Sequence, residues 1–389
     1  MKNPYNPSFG ARPERFLGRD TLISNIEDAM NNMNSPWRET ILIGVRGSGK
    51  TAILSDLLER FEKKDCIVAL ATSADGFLDD ILGQIHSKLY SHPSNRRPKL
   101  KSIKTGFGLQ LGSPDTGGIK PSVEVSFDTT GMEENAPHYL TNFESQIAIL
   151  MEEAKKRERK IVILIDEVQN HSSEMRRFAI KYQHFKQKRH EIMVVVAGLP
   201  NAINDILNDN VLTFFRRAER VSVDYVDHPI IQKDYHDVFM KSFPSVGGTI
   251  IQNMALATKG YPYLIQLIGY YMWELLKQKA KDSSEAFEET IKKAREQLFK
   301  NVHKLVYLQL SREDRIFIAY MMADEATSNI ADMAIRLNIE KIYAIEYGSK
   351  LIAAGVIKAV NMEEGVATEV TFAFPYMREF MIFIDKAEN

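Results

Sequence analysis

Cysteine is nearly absent: Cys66 is the single one in 389 residues, so no internal disulfide can form, and its apolar surroundings mark it as a small buried side chain. Charge of one sign is missing too. Fifty Lys and Arg stand against 51 Asp and Glu, a net charge of −1, so no global field draws the molecule to nucleic acid or membrane and any such affinity must come from a local patch. Long apolar runs are lacking: Ile161–Ile165 and Ile192–Leu199 fall far short of the ~20 residues that span a bilayer. The opening Met1-Lys2-Asn3-Pro4-Tyr5 has no apolar signal-peptide core. Together these absences point to a reducing, cytoplasmic setting with no membrane partner. The nine histidines show no zinc-like spacing with cysteines or carboxylates, so no structural metal centre is expected.

What is present suits a folded chain. Apolar residues at 44 % and charged residues at 26 % argue against disorder, collagen and coiled coil, and the length suits two or three domains. Residues 1–15 read as an extended arm, because Asn3–Pro13 holds three prolines and two asparagines. An amphipathic run follows Phe16-Leu17-Gly18-Arg19-Asp20 to about Met33, and Thr40–Ile43 is an apolar strand running into glycines. Apolar spacing predicts a helix over Thr51–Lys63, a buried strand over Ile67–Ala71 and a helix over Phe77–Tyr90. That βαβα order implies a parallel sheet.

Residues 91–137 interrupt the rhythm with five prolines and two alternating runs, Ser102–Leu111 and Val123–Phe127, read as an inserted hairpin. A helix from about Tyr139 to Arg157 leads back to strands at Ile161–Ile165 and Met193–Ala197, and the core, residues 16–227, closes near Val221–Asp224. Residues 228–307 are patterned as a helical lid, with an apolar stripe from Leu264 to Leu275. In residues 308–389, helices after Ser311, around Asn329–Leu337 and over Lys341–Ala354 precede a hairpin, Val356–Val360 and Val366–Phe374, the order of a winged helix. The fold class expected is therefore α/β: a three-layer αβα parallel sheet, a helical lid and a C-terminal winged helix.

Gly44-Val45-Arg46-Gly47-Ser48-Gly49-Lys50-Thr51 fits G-x-x-x-x-G-K-[ST] between an apolar strand and an amphipathic helix, the required context. Glycines let backbone N–H groups turn onto phosphates, and the helix N-terminus adds a dipole favourable to anions. Lys50 would reach the β- and γ-phosphates, and Thr51 would place its hydroxyl on Mg²⁺. The strand Ile161–Ile165 ends in Asp166 and Glu167. Asp166 would hold the Mg²⁺ shell, and Glu167 would orient and polarise the attacking water, which argues for hydrolysis rather than binding alone.

These residues resemble the AAA+ ATPases, in particular the branch of origin-recognition-type initiators and the related STAND signalling ATPases. The likeness extends over nearly the whole chain. Phe16-Leu17-Gly18-Arg19-Asp20 is similar to the hydrophobic-Gly-Arg-acidic box near the nucleotide base, and Gly260-Tyr261-Pro262 resembles the STAND lid motif that senses nucleotide. The resemblance thus implies ATP and Mg²⁺ as cofactors, with Gly18, Arg19, Gly44, Arg46, Gly47, Ser48, Gly49, Lys50, Thr51 and Pro262 around them. Val196-Ala197-Gly198-Leu199-Pro200, the stretch Leu212–Arg220 and the closing segment look like a group of bacterial ATP-binding proteins. Two departures stand out. No polar sensor ends the strand Val195-Val196-Ala197-Gly198, and Tyr261, Pro262 and Tyr263 occupy the lid turn where initiators carry an arginine, so turnover is expected to be slow or partner-dependent. Arg216 and Arg217 fall where the branch can place an arginine finger acting in trans; surface arginines ending a helix are the alternative.

The partner is expected to be DNA, with a protein partner as the alternative. From Ile81 to Pro114 there is no acidic residue, while Lys88, Arg96, Arg97, Lys99, Lys101 and Lys104 give a local charge of +6, suited either to DNA or to a solvated loop. A second basic run, Arg176 to Arg189, reads as the exposed face of a core helix with Phe178, Tyr182 and Phe185 inward. In a winged helix Lys341–Ala354 would enter a major groove through Lys341 and Lys350, yet residues 311–389 hold eight basic and thirteen acidic residues and the wing Asn361–Gly365 is acidic. One reading is an ATP-driven switch acting on DNA through the insertion and winged helix. The other is a signalling or defence ATPase that self-associates and recruits a protein partner.

Overall fold

The computed structural model of the chain describes residues 2–8, 13–90, 100–105, 123–127, 143–168, 173–209, 213–223, 225–278 and 282–388. Its first half is built from α1 (Asp20–Ala29), β1 (Glu39–Ile43), α2 (Lys50–Lys63), β2 (Ile67–Thr72), α3 (Phe77–Tyr90), β3 (Leu100–Thr105), β4 (Val123–Phe127), α4 (Phe143–Lys156), β5 (Ile161–Asp166), α5 (Ser173–Gln187), β6 (Ile192–Gly198), α6 (Pro200–Asn208) and β7 (Glu219–Ser222). Five strands form a parallel sheet in the order β2-β5-β6-β1-β7. Alternation along the strands separates two cores. Ile161, Ile163 and Ile165 pack with α3, α4 and α5 on one face, and Val162 and Leu164 pack with α1 and α2 on the other. Burial on both faces explains why β5 and β6 are apolar almost throughout. Cys66 is buried beside β2, and burial pushes its thiol up. In the inserted segment β3 pairs antiparallel with β4.

The expected basic face of α5 is present. Phe178, Tyr182 and Phe185 are buried, while Arg176, Arg177 and Lys186 pair with Asp209, Glu144 and Glu39. These cations hold the helix to its neighbours and mark a structural face.

Helices continue through α7 (His228–Ser242), α8 (Gly248–Ala257), α9 (Pro262–Gln278), α10 (Ser283–Leu298) and α11 (Lys304–Leu308), the last two joined by a π-turn over Phe299–His303. Then come α12 (Arg312–Tyr320), β8 (Ser328–Asn329), α13 (Ile330–Leu337), α14 (Lys341–Ala353), β9 (Ile357–Glu363), β10 (Val366–Phe372) and α15 (Met377–Glu388). Ser311 and Asp314 form a capping box on α12, and Asn329 caps α13. The small sheet runs β8-β10-β9, so the expected hairpin gains a third strand, and α15 extends the segment beyond it. One apolar core runs through α7–α11 and the C-terminal segment, from Ile231 to Phe380. Among the described residues no helix is long and apolar enough to cross a membrane.

His303 lies fully buried in that core among Phe299, Phe374 and Phe380. Burial pushes its imidazole down to about 4, from the usual value near 6.5. Between these values the unfolded chain binds the proton and the folded chain does not, so stability rises with pH across this window and is lost as pH falls from about 6.5 toward 4. The expected loss is about 3 kcal/mol over the whole window, of which about 2 kcal/mol falls between pH 7 and pH 5 and is read as a lower urea midpoint at pH 5. His303→Phe, which suits the aromatic surroundings, should flatten most of that slope; an unchanged slope would assign it to other groups.

Candidate nucleotide site

The loop between β1 and α2 is shaped by glycine. Gly47 and Gly49 take φ of +74° and +97°, a region costly for other residues. At Gly44 a Cβ would stand 2.5 Å from Ser48 Oγ and 2.9 Å from the Val223 carbonyl oxygen. Gly49 caps α2, whose N-terminus therefore opens into the loop. The Ser48 hydroxyl is buried without a protein partner, an orphaned donor of the kind a phosphate oxygen satisfies. Lys50 Nζ donates to the carbonyls of Gly44 at 2.7 Å and Val45 at 3.0 Å. Burial pushes its amine down to about 8, opposed by Asp166 and Glu167.

Asp166 ends β5 and is buried; its Oδ2 accepts from Thr51 Oγ1 at 2.7 Å. The two residues expected to bind metal are thus joined in the fold. Glu167 turns away at φ +48°, its N–H donating to Asp166 Oδ1 at 2.9 Å, and its side chain is exposed. That kink sends adjacent carboxylates in different directions: Asp166 toward Thr51, Glu167 toward solvent in the cleft. Hard oxygen donors, a hydroxyl and one carboxylate, fit Mg²⁺, which usually takes one or two protein ligands and completes its shell from phosphates and water. Bound there, Mg²⁺ would neutralise phosphate charge. Among the described residues no cluster of three His, Cys, Asp or Glu offers a different metal site.

These groups line a cleft of about 330 Å³ whose walls also include Phe16, Leu17, Arg19, Pro262 and Gln266. Gly18, at φ +66°, packs against Ile230 of α7 and aims the following residues inward. Pro262 opens α9. Immediately before it, Tyr261 is fully buried and its hydroxyl donates to the Arg46 carbonyl. The turn before α9 therefore touches the phosphate loop directly, through a phenol that burial keeps protonated. Gly47 is the matching surface: a Cβ there would meet the Tyr261 ring.

The structure gathers Arg19, Arg46, Gly47, Ser48, Gly49, Lys50, Thr51, Asp166, Glu167 and Pro262 around this cleft. Gly44 supports the loop from below. Arg216 and Arg217 stand apart, exposed on a 3₁₀ turn before the edge strand β7, with Arg216 Nε donating to the Leu207 carbonyl at 2.9 Å. Arg96, Arg97 and Lys99 lie outside the described residues; Lys101 and Lys104 fall on β3. At the C-terminal segment Lys341 is exposed, whereas Lys350 pairs with the buried Asp314 carboxylate at 2.7 Å. Sequence reasoning missed Asn6, Pro7 and Ser8, which line the cleft from the N-terminal arm, and Gln266, which faces them from α9.

Against known proteins, the family model for the AAA ATPase domain matches residues 15–182. No curated protein matches the sequence. Among solved structures, the Walker-type ATPase of Pyrococcus abyssi is similar at 13 % identity and a TM-score of 0.57, over 95 % of this chain and 97 % of that one. The ORC2 protein of Aeropyrum pernix, solved with ADPNP and ADP, is similar at 11 % identity and a TM-score of 0.57, over 98 % of this chain and 97 % of that one. At such identities the likeness speaks for the fold. The loop, the paired carboxylates and the match of residues 15–182 to the AAA ATPase domain agree on the chemistry: the protein is an ATPase.

Proposed function

We propose that this ATPase is a Mg²⁺-dependent switch whose nucleotide state repositions the lid and the C-terminal segment. The observation that carries the reading is the double contact on the phosphate loop. Tyr261 of the lid bonds the Arg46 carbonyl, and one residue earlier Val45 Cγ1 would stand 3.5 Å from a Cβ at Gly355, in the turn between α14 and β9. The Tyr225 hydroxyl, beside Tyr261, donates to the Ala373 carbonyl of the same segment. A phosphate that shifts residues 45–47 therefore acts on both at once, which is the differential contact a ligand needs to drive a conformational change. In this reading Lys50 and Thr51 hold phosphate and metal, Asp166 completes the metal shell, Glu167 polarises water and Arg216 or Arg217 serves a neighbouring copy.

For the output, one observation favours a protein partner over DNA at the C-terminal segment, read as a winged helix. Five of its eight basic residues are engaged within the chain: Arg336 with Asp324, Lys350 with Asp314, Arg315 with the Tyr307 and Leu308 carbonyls, Lys358 over Tyr225, and Arg378 with the Met322 carbonyl. The helix that would enter a groove presents Ile342 and Tyr343 instead, 54 % and 52 % exposed. DNA remains the alternative through Arg96, Arg97, Lys99, Lys101 and Lys104. ATP turnover measured with and without a random duplex, at low and moderate salt, separates the two. Turnover indifferent to DNA, with an ATP-dependent mass increase in light scattering, supports the protein switch. Stimulation that declines steeply with salt assigns the output to DNA, and an unchanging monomer without stimulation overturns the assembly reading.

A further inference from the structure

The N-terminal arm is anchored far from where its sequence begins. Tyr5 is 5 % exposed, its ring stacked on Phe239 at 5.9 Å and edge-on to Tyr235 at 5.6 Å, both on α7. Its hydroxyl donates to Asp234 Oδ2 at 3.1 Å, and the other oxygen of that buried carboxylate meets Arg15 Nε at 2.6 Å. Asp234 thus clasps both described ends of the arm. On α9, the Asn3 amide donates to the Tyr270 carbonyl and to Glu274, and Asn6 N–H donates to Gln266 Oε1 at 2.9 Å. Gly269 makes the fit possible: a Cβ there would stand 2.5–2.7 Å from the Tyr5 ring. Glycine inside a helix costs roughly 1 kcal/mol relative to alanine, so its place in the middle of α9 has a packing reason.

Directly after this anchor, Asn6, Pro7 and Ser8 form part of the wall of the cleft that holds Lys50 and Asp166. The helix that receives the anchor, α9, starts one residue after Tyr261, the lid's contact with the phosphate loop. We propose that residues 6–8 of the arm are a retaining wall of the nucleotide site, with Tyr5 and Gly269 as positioning residues that hold them against the cleft and set how long nucleotide stays bound. The proposal rests on the reading of the cleft as the ATP site. The arm takes no part in bond breaking, so its loss lets nucleotide leave and leaves the hydrolytic step intact.

The experiment follows release of a fluorescent ADP analogue from the full chain by stopped flow, alongside steady-state KM and kcat for ATP. Tyr5→Ala should speed release and raise KM about tenfold with kcat within about twofold, the pattern of lost binding rather than lost transition-state stabilisation. Tyr5→Phe keeps the ring in its slot but leaves Asp234 Oδ2 without that donor, so it should fall between the parent and Tyr5→Ala. Gly269→Ala, which leaves the arm's own sequence intact, should speed release to a similar extent. In the Tyr5→Ala background the added methyl meets no ring, so the double variant should match the single ones, the non-additivity of two groups in one contact. Release unchanged in Gly269→Ala and in folded Tyr5→Ala overturns the proposal, as do effects that multiply in the double variant. Should Tyr5→Ala fail to fold, Gly269→Ala alone decides. Failure of the parent chain to bind the analogue would instead strike at the ATP site itself.

Discussion

Lys50→Ala should lower affinity for ATP and ADP by at least about 100-fold, measured by titration of a fluorescent nucleotide. A hydrogen bond to a charged group contributes about 1.5–3 kcal/mol, a buried site strengthens it, and each 1.4 kcal/mol is tenfold in affinity. Lys50 Nζ reaches the Gly44 and Val45 carbonyls from the first residue of α2. It shares the loop with the buried Ser48 hydroxyl, and alanine removes its charge from that loop. A second readout follows from the amine held at about 8. Only the protonated amine pairs with phosphate, so affinity should fall as pH rises through 8 in the parent chain and should lose that dependence in Lys50→Ala. Affinity retained in the variant would contradict the role given to Lys50.

Glu167→Gln should reduce ATP turnover by two to three orders of magnitude while leaving ATP affinity within a few-fold, the range expected when a positioned base is removed. The substitution keeps shape and removes charge. Glu167 is exposed in the cleft, and its backbone N–H donates to Asp166 Oδ1, a contact that glutamine also makes. Phosphate release under saturating ATP, set beside nucleotide titration, checks both halves. Parallel losses of binding in Glu167→Gln and Lys50→Ala would collapse the distinction between a residue that holds phosphate and one that activates water. A Glu167→Gln protein that retains ATP is also the state in which assembly should be most visible by light scattering.

Much of this was legible along the chain because it is local. Glycine spacing around Gly47 and Gly49 declared a loop that needs positive φ, and the observed +74° and +97° meet that need. The unbroken apolar run Ile161–Ile165 declared a strand buried on both faces, and the carboxylates at its end had to face a cleft or water. The helix of Phe77–Tyr90 depends on neighbours within one or two turns. Elements that end where a distant surface permits were less legible. The first helix stops at Ala29 rather than near Met33, and α15 follows Pro375 where the sequence reading ended at a strand.

Chemistry by residue type, strand and helix periodicity and the phosphate loop were determined by the sequence alone, because backbone stereochemistry and amphipathic spacing act over a few residues. Tertiary structure alone decided which side chains meet. Three prolines describe an extended arm, but only packing joins Tyr5 to Asp234 across 229 residues and gives Gly269 its purpose. Lys350 looks free for a nucleic acid until Asp314 is found beside it, and Tyr261 looks like a lid residue until its hydroxyl is found on the Arg46 carbonyl. Such pairings are set by shape and burial summed over distant segments, for which no short stretch of sequence carries a signal.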